Sequence, residues 1–353
     1  MANRTPFDDR GNPDISINDI SPLLVFEHLK KIESKLVKDF NNIPLSDILN
    51  QMDLYTGPSE RRMLKNVTAM MFCENPGKFF PYTQVDIVIF PKGLEQDPNN
   101  MIEVPKISGP VPYMIRATLD YLRTNVIKER IIKPKDKAES IRFFNYPYQA
   151  LEEGVVNALY HRDYQEREPV EIRVEPEGIT ILSYAGPDRS ISMETIQKAR
   201  KLKARRYRNR RLGDFLKELD LSEGRATGIP TIQDELRRNG SQPARIETDD
   251  DRSYFLLEIP CREGFDLEST FSDLKSDLKS DLKSDLKNKT DRKRDIAGLI
   301  LKLISENPDI TIPILIEQIG LSGTTIKKCL KQLKDENRIE RIGPRNGGKW
   351  KVI

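Results

Sequence analysis

The sequence predicts an α+β protein: an α/β scaffold, a two-layer α/β sandwich, a low-complexity linker and a C-terminal winged helix-turn-helix. Three observations carry that expectation. Between residues 146 and 262, a helical stripe is followed by two β-branched runs, a glycine turn, a basic segment, a glycine loop, a further helix and a closing strand. Residues 272–287 repeat Ser-Asp-Leu-Lys four times, a tract with no core of its own. Residues 291–353 read as three short helices and a hairpin. The expected domains are therefore 1–140, 141–262, 263–290 (the linker) and 291–353, which suits a chain of 353 residues.

Composition narrows the classes. Hydrophobic residues make up 37% and charged residues 32%, which points to well-solvated surfaces and at least one linker. Cys73, Cys261 and Cys329 are scattered and odd in number, so they form neither a disulfide framework nor a zinc spacing. A reducing cytoplasm is the expected compartment. No run of 18 apolar residues occurs, and the N-terminus lacks the apolar core of a secretory signal, so a membrane partner is not expected.

The first third reads as scaffold, with no catalytic constellation. Residues 1–18 are polar and extended. A helix capped by Asn18 or Ser21 is expected to reach about Phe40, with Leu24, Leu29, Ile32 and Leu36 inside. Short helices are expected at 44–52 and from Pro58 through Met71. Tyr82–Phe90 and Ile102–Ile107 read as strands, and Pro110 opens a helix that reaches about Lys128.

The stretch 146–164, YPYQALEEGVVNALYHRDY, is the densest in chemistry. Leu151, Val155, Ala158 and Leu159 form its apolar stripe. Glu153 and Asn157 stand at i and i+4, which places a carboxylate beside an amide. The bland alternative is a solvated helix face, with His161-Arg162-Asp163-Tyr164 as a hydrogen-bonded corner that ends the helix. Strands follow at 170–174 and 178–183, then the turn 184–188 and a helix from Ile191. Residues 198–211, KARKLKARRYRNRR, hold nine Lys or Arg in fourteen positions and no acid. This run is either a solvated surface or a contact for nucleotide phosphates or DNA. Leu212, Phe215, Leu216 and Leu219 stripe the next helix, and a glycine loop at 223–230 leads to a helix at 230–239 and a strand at 253–259. Glycine turns let a backbone approach a phosphate closely.

In the Ser-Asp-Leu-Lys tract residues four apart are identical, so no favourable i,i+4 ion pair forms. It reads as a linker; a coiled-coil homodimer contact through its leucines is the alternative, although its period is 4 rather than the usual 3.5. From residue 288 onward there are 14 Lys and Arg against 8 Asp and Glu. In a winged helix the third helix enters the major groove and the wing lies on the backbone. That role falls to Thr324, Thr325, Lys327, Lys328 and Lys331 on the helix and to Arg341, Arg345 and Lys349 on the wing, with double-stranded DNA as the expected partner. Winged helices also dock proteins. Trp350 is expected to pack under the wing.

Four stretches carry a family resemblance: ExxxNAxxHRDY at 153–164, the turn at 183–187, RRYRNRRLG at 205–213 and GRATGIP at 224–230. They resemble the bacterial Schlafen-AlbA-type transcriptional regulators, also called "ATP-dependent DNA helicase RecG-related". Ala185 stands where the family usually has proline, and Ala226 where it has glycine. Members typically carry an AlbA-like nucleic-acid domain at the N-terminus, and by this resemblance the chain starts after it. The family's middle domain is similar to the GHKL ATPases, so 141–262 is expected to be a GHKL-like domain that binds ATP and Mg. The resemblance makes Glu153 the base that activates water and Asn157 the Mg ligand. Gly186, Gly224, Thr227 and Gly228 would then approach the nucleotide. The carboxylate that accepts from the adenine amine in GHKL proteins has no counterpart near Tyr184. No GxxxxGK[ST] loop occurs, so helicase activity is not expected. The implied function is a cytoplasmic, DNA-binding transcriptional regulator with a nucleotide ligand. The alternative is an ATPase whose winged helix docks a protein partner.

Overall fold

The computed structural model describes residues 5–133, 140–189, 191–197, 207–222, 228–265, 300–301, 303–305, 307–312, 314–315, 323–335, 338–342 and 349–352. The chain divides into two compact units, Met1–Ser272 and Asp273–Ile353. The Ser-Asp-Leu-Lys repeats, most of the basic run, Gly224, Thr227 and Arg345 lie outside the described residues, as do the side chains of Thr324 and Thr325.

The first unit begins with β1 (Gly11–Asn12), α1 (Pro22–Lys31), α2 (Leu45–Gln51), β2 (Tyr55–Thr56), β3 (Met63–Lys65) and α3 (Asn66–Phe72). The helix expected to run to Phe40 stops at Lys31, and Glu33 just beyond it adopts φ 54, a left-handed conformation that ends a helix. The methionine-rich run expected as one helix from Pro58 instead divides. Met63–Lys65 is the central strand between β1 and β2, and only Asn66–Phe72 is helical. Pairing on both edges has overridden helical periodicity there. The polar N-terminus is not an extended lead-in either: Asp8 is fully buried, and β1 pairs with β3.

The sheet that carries the site is assembled next. Its strands β4 (Gln84–Ile89), β5 (Ile102–Glu103) and β6 (Ile107–Ser108) are followed by α4 (Val111–Tyr121), by a hairpin outside this sheet, β7 (Glu129–Ile132) and β8 (Ile141–Phe144), by α5 (Tyr148–His161), and by two more of its strands, β9 (Val170–Glu175) and β10 (Gly178–Tyr184). Helices α6 (Met193–Gln197), α7 (Arg210–Glu218) and α8 (Gly228–Asn239), then strands β11 (Arg245–Glu247) and β12 (Tyr254–Pro260), complete the unit. The order is β11-β12-β10-β9-β4-β5, with β6 also on β4. Only β4 and β9 run parallel, with Val85 opposite Val170 and Ile89 opposite Val174. A strand from the first third is thus built into the same sheet as the strands after α5. The hairpin β7–β8 is a separate two-stranded sheet and had no counterpart in the sequence reading.

Alternation gives the sheet its buried face: Val85, Ile87, Ile89, Val170, Ile172, Val174, Ile179, Ile181, Leu257 and Ile259 are all buried. Each such side chain contributes about 1.5–3 kcal/mol relative to exposure. Helices α4 and α5 pack on this sheet, and α8 packs on α5. No described helix is long and apolar enough to cross a membrane.

The second unit contains α9 (Gly323–Asp335) and an antiparallel hairpin, β13 (Ile339–Ile342) with β14 (Lys349–Val352). Ile326, Leu330 and Leu333 line the inner side of α9 at helical spacing and meet Ile300, Ile304 and Leu315 in one core. Trp350 packs into that core beneath the wing, with Lys334 and Arg341 over its ring at 5.5 and 5.2 Å.

Candidate functional site

Everything at the site is referenced to α5. Asn145 sets where the helix begins: its side chain accepts from the Lys128 and Tyr146 amides at 2.7 and 2.9 Å and donates to the Val126 carbonyl. Gly154 sets how close the helix lies to the sheet. A Cβ there would come within 3.0 Å of both Ile181 and Leu257, so the absent side chain brings α5 down onto β10 and β12.

Glu153 and Asn157 do share a face. The Asn157 amide nitrogen donates to Glu153 Oε1 at 3.1 Å. A carboxylate only accepts, so the amide nitrogen must be the end that faces it, which leaves the amide oxygen as the donor atom for a cation. Above the pair stands Gly228, the first residue of α8. A Cβ on Gly228 would lie 2.5 Å from Glu153 Oε1 and 2.7 Å from Asn157 Nδ2. The N-terminus of a twelve-residue helix therefore closes on the carboxylate–amide pair. Three expected site residues, Glu153, Asn157 and Gly228, are brought together. Among the described residues no group of three or more His, Cys, Asp or Glu is placed to hold a metal. A hard cation at Asn157 would need oxygen ligands from a phosphate to complete its shell.

The other end of α5 is built differently. Arg162 is 1% exposed and donates to the carbonyls of Tyr82, Glu166 and Glu168 at 3.0, 3.3 and 2.9 Å, while its guanidinium lies 4.9 Å from the Tyr164 ring centre. The Tyr164 hydroxyl donates to the Leu159 carbonyl at 2.7 Å, and the buried Asn209 donates to the carbonyls of Tyr160 and Arg162. These groups answer the carbonyls that a helix end leaves unpaired. The cluster is a hydrogen-bonded corner, as its bland reading had it. Tyr160, His161 and Tyr207 stack beside it, with Tyr160 and His161 4.3 Å apart. Burial, reinforced by the nearby Arg208 charge, lowers the His161 pKa to about 4, so the ring is neutral in this setting.

Gly186 is placed apart from Glu153, at the turn after β10. A Cβ there would meet the Tyr254 and Arg252 carbonyls and Thr248 Oγ1 within 2.8 Å, so only glycine fits. Arg208 joins this turn to the end of α5: it donates to the His161 carbonyl at 2.5 Å and the Gly186 carbonyl at 3.3 Å, and lies 3.8 Å from Asp163. Along α5, His161 is about 12 Å from Glu153 at 1.5 Å per residue. Sequence reasoning weighed the 198–211 run for charge alone and missed the bridging of Arg208 and Asn209. It also missed Asp8, whose carboxylate accepts from the Leu212 amide at the start of α7 at 2.7 Å. Burial raises the Asp8 pKa to about 6.

In the second unit Lys327, Lys328 and Lys331 are exposed on α9. Arg341 is half-buried against Trp350, and Lys349 pairs with Asp309 at 3.1 Å. Of the described wing cations, Arg341 is thus engaged with the core ring of Trp350 and Lys349 with an exposed carboxylate.

Comparison with known proteins agrees with this layout. The family described as putative ATP-dependent DNA helicase recG C-terminal matches residues 168–258, which begins after Glu153 and Asn157. The winged helix-turn-helix DNA-binding family matches residues 293–340. No curated protein matches the chain. The DIP2311 protein from Corynebacterium diphtheriae has a similar fold, with a TM-score of 0.50 and 15% identity over 99% of this chain. This chain spans 64% of that protein's length. The chain carries an ATPase-like domain of the RecG C-terminal type, followed by a winged helix-turn-helix.

Proposed function

We propose that this chain is a DNA-binding transcriptional regulator of the Schlafen-AlbA type whose GHKL-like domain binds a magnesium-complexed nucleotide, with ATP as the reference ligand. The observation that carries the nucleotide reading is the meeting of Glu153, Asn157 and the N-terminus of α8. A helix N-terminus presents unpaired amides and a partial positive charge, which suits a phosphate. The space that a Cβ on Gly228 would fill lies directly over the carboxylate and the amide. Asn157 Oδ1 would hold magnesium, which when bound neutralises phosphate charge. Glu153 is the acceptor for a proton from water, and Asn157 Nδ2 fixes its orientation through their shared hydrogen bond.

Calorimetric titration of the full chain with ATP, with and without magnesium, tests this reading. Saturable binding that needs magnesium and falls at least ten-fold in Asn157→Ala supports it. Magnesium-independent or absent binding would sink it. Phosphate release that survives Glu153→Ala would remove Glu153 as base.

The DNA reading rests on Lys327, Lys328 and Lys331, three exposed cations on one helix. Removing any one cation that meets a DNA phosphate should reduce the salt slope of binding by about one. A mobility-shift titration of the full chain against Lys327→Ala, Lys328→Ala and Lys331→Ala reads that slope. A different observation favours a protein-docking wing: Ile342 and Val352 on the hairpin are 53% and 38% exposed, and Ile314 is 38% exposed. Unchanged DNA affinity in all three lysine variants would move the function to that reading, in which the chain is an ATPase with a protein partner.

A further inference from the structure

We propose that the hairpin β7–β8 is the contact through which two copies of this chain pair, by antiparallel addition of β7 to β7 with Ile131 on the two-fold axis. A two-stranded hairpin alone is marginal in water. One face of this hairpin is covered: Phe143 is buried, with the Arg262 guanidinium 4.0 Å from its ring centre and the Phe265 ring 5.7 Å away. The register sets Glu129 opposite Phe144 and Ile131 opposite Arg142, so these four share the other face. There Ile131 and Phe144 are 53% and 41% exposed, beside an open ion pair between Arg142 and Glu129 at 3.5 Å.

The two edges of the hairpin differ. The Asn145 amide donates to the Lys128 carbonyl, directly opposite, at 3.1 Å. In an antiparallel ladder such bonded pairs alternate with pairs whose amides and carbonyls point outward. Glu129–Phe144 and Ile131–Arg142 are therefore the outward-pointing pairs. On β8 the outward groups of Phe144 are answered: its amide donates to Asn239 Oδ1 at 3.4 Å, and its carbonyl accepts from Asn239 Nδ2 at 2.8 Å. On β7 those of Glu129 and Ile131 face out, and among the described residues β7 pairs with β8 alone. An unpaired edge is a template for a further strand.

The charges select the strand that fits. Outward groups must meet outward groups, so an antiparallel copy of β7 centres on a residue rather than between two. A centre on Glu129 sets two carboxylates face to face, and one on Arg130 does the same with two guanidinium-bearing residues. A centre on Ile131 sets that side chain against its own copy. It also sets Glu129 against the exposed Lys133 of the second copy, twice over by symmetry. Apolar contact and opposite charge thus coincide in one register, and the strand that supplies both is this chain's own.

Sedimentation equilibrium of the full chain over about a hundred-fold range of concentration reads the pairing by mass action. A monomer–dimer equilibrium is expected. Ile131 is exposed, so Ile131→Asp leaves the fold intact; it opposes two carboxylates on the axis and should weaken the dimer about ten-fold or more. Glu129→Lys and Lys133→Glu should each weaken it about three-fold or more, and the two together should restore it, since the swap returns opposite charges to the register. A merely structural role of either residue would give no such restoration. A monomer at every concentration would leave the β7 edge to an extended segment of another protein and overturn the proposal. Parental dimerisation in Ile131→Asp would place the contact elsewhere, the Ser-Asp-Leu-Lys repeats included, and overturn it equally. Failure of the double charge swap to recover the dimer would overturn the register.

Discussion

The middle of α5 and the corner just past its C-terminus behave as opposites in the fold. Glu153 and Asn157 bond to each other and face the start of α8. Arg162 and Tyr164, one or two turns later, direct their polar atoms onto backbone carbonyls. A polar side chain committed to backbone carbonyls defines the shape of the chain; one whose partner is another side chain can exchange that partner for a ligand. By that criterion the Glu153–Asn157 face of the helix is the chemical part and the corner after it is the frame. The comparison breaks if substitutions in the corner leave stability intact.

The largest expected effect is at Arg162. Arg162→Met removes donors from three carbonyls at a fully buried position and should destabilise the first unit by about 3–5 kcal/mol. Urea denaturation of the full chain, followed by far-ultraviolet dichroism, reads this directly. Arg162→Lys should recover less than half of the loss, since one ammonium does not reproduce the fork. A loss below about 1 kcal/mol would mean that the corner does not frame the helix.

Gly228→Ala tests the Glu153–Asn157 face. The added methyl would stand 2.5 Å from Glu153 Oε1, so either α8 shifts or the carboxylate turns away. The expected loss of stability is about 1–2 kcal/mol, with a larger loss of magnesium-dependent nucleotide affinity. An affinity change no greater than the stability change would place Gly228 with the frame.

These contrasts mark what the sequence could carry. The strands β9, β10 and β12 were legible from alternation, and α5 from its stripe, because period 2 and period 3.6 survive in the residues themselves. Glu153 beside Asn157 was legible from i,i+4 spacing, and the corner at His161–Tyr164 was read as a corner. The partners of Arg208 and Asn209 were hidden, since a basic run reads as charge and not as a set of carbonyl partners. Asp8 was hidden more deeply. Its partner, Leu212, is 204 positions away, and nothing local marks a carboxylate that will cap a distant helix. The strand Met63–Lys65 was missed because only pairing on both edges makes it a strand.

A third contrast separates two ionisable residues, Asp8 and His161. The Asp8 carboxyl is raised from 3.8 to about 6, so the folded chain keeps a proton there that the unfolded chain has released. Its contribution falls as pH rises from about 4 to 6. The His161 ring is lowered from 6.5 to about 4, so the unfolded chain takes up a proton that the folded chain refuses. Its contribution falls as pH drops from 6.5 towards 4. Over the shared window the proton counts nearly cancel, and the parent should show a flat stability profile from these two groups. Asp8→Asn retains an oxygen for the Leu212 amide but removes one titration, so acidification from pH 6.5 to 4.5 should then destabilise the chain. His161→Asn should expose the reverse slope. Each slope is at most about 1.4 kcal/mol per pH unit, the linkage value for one proton. Chemical denaturation at several pH values reads both, and equal slopes in the two variants would show that neither group titrates in the fold as its burial requires.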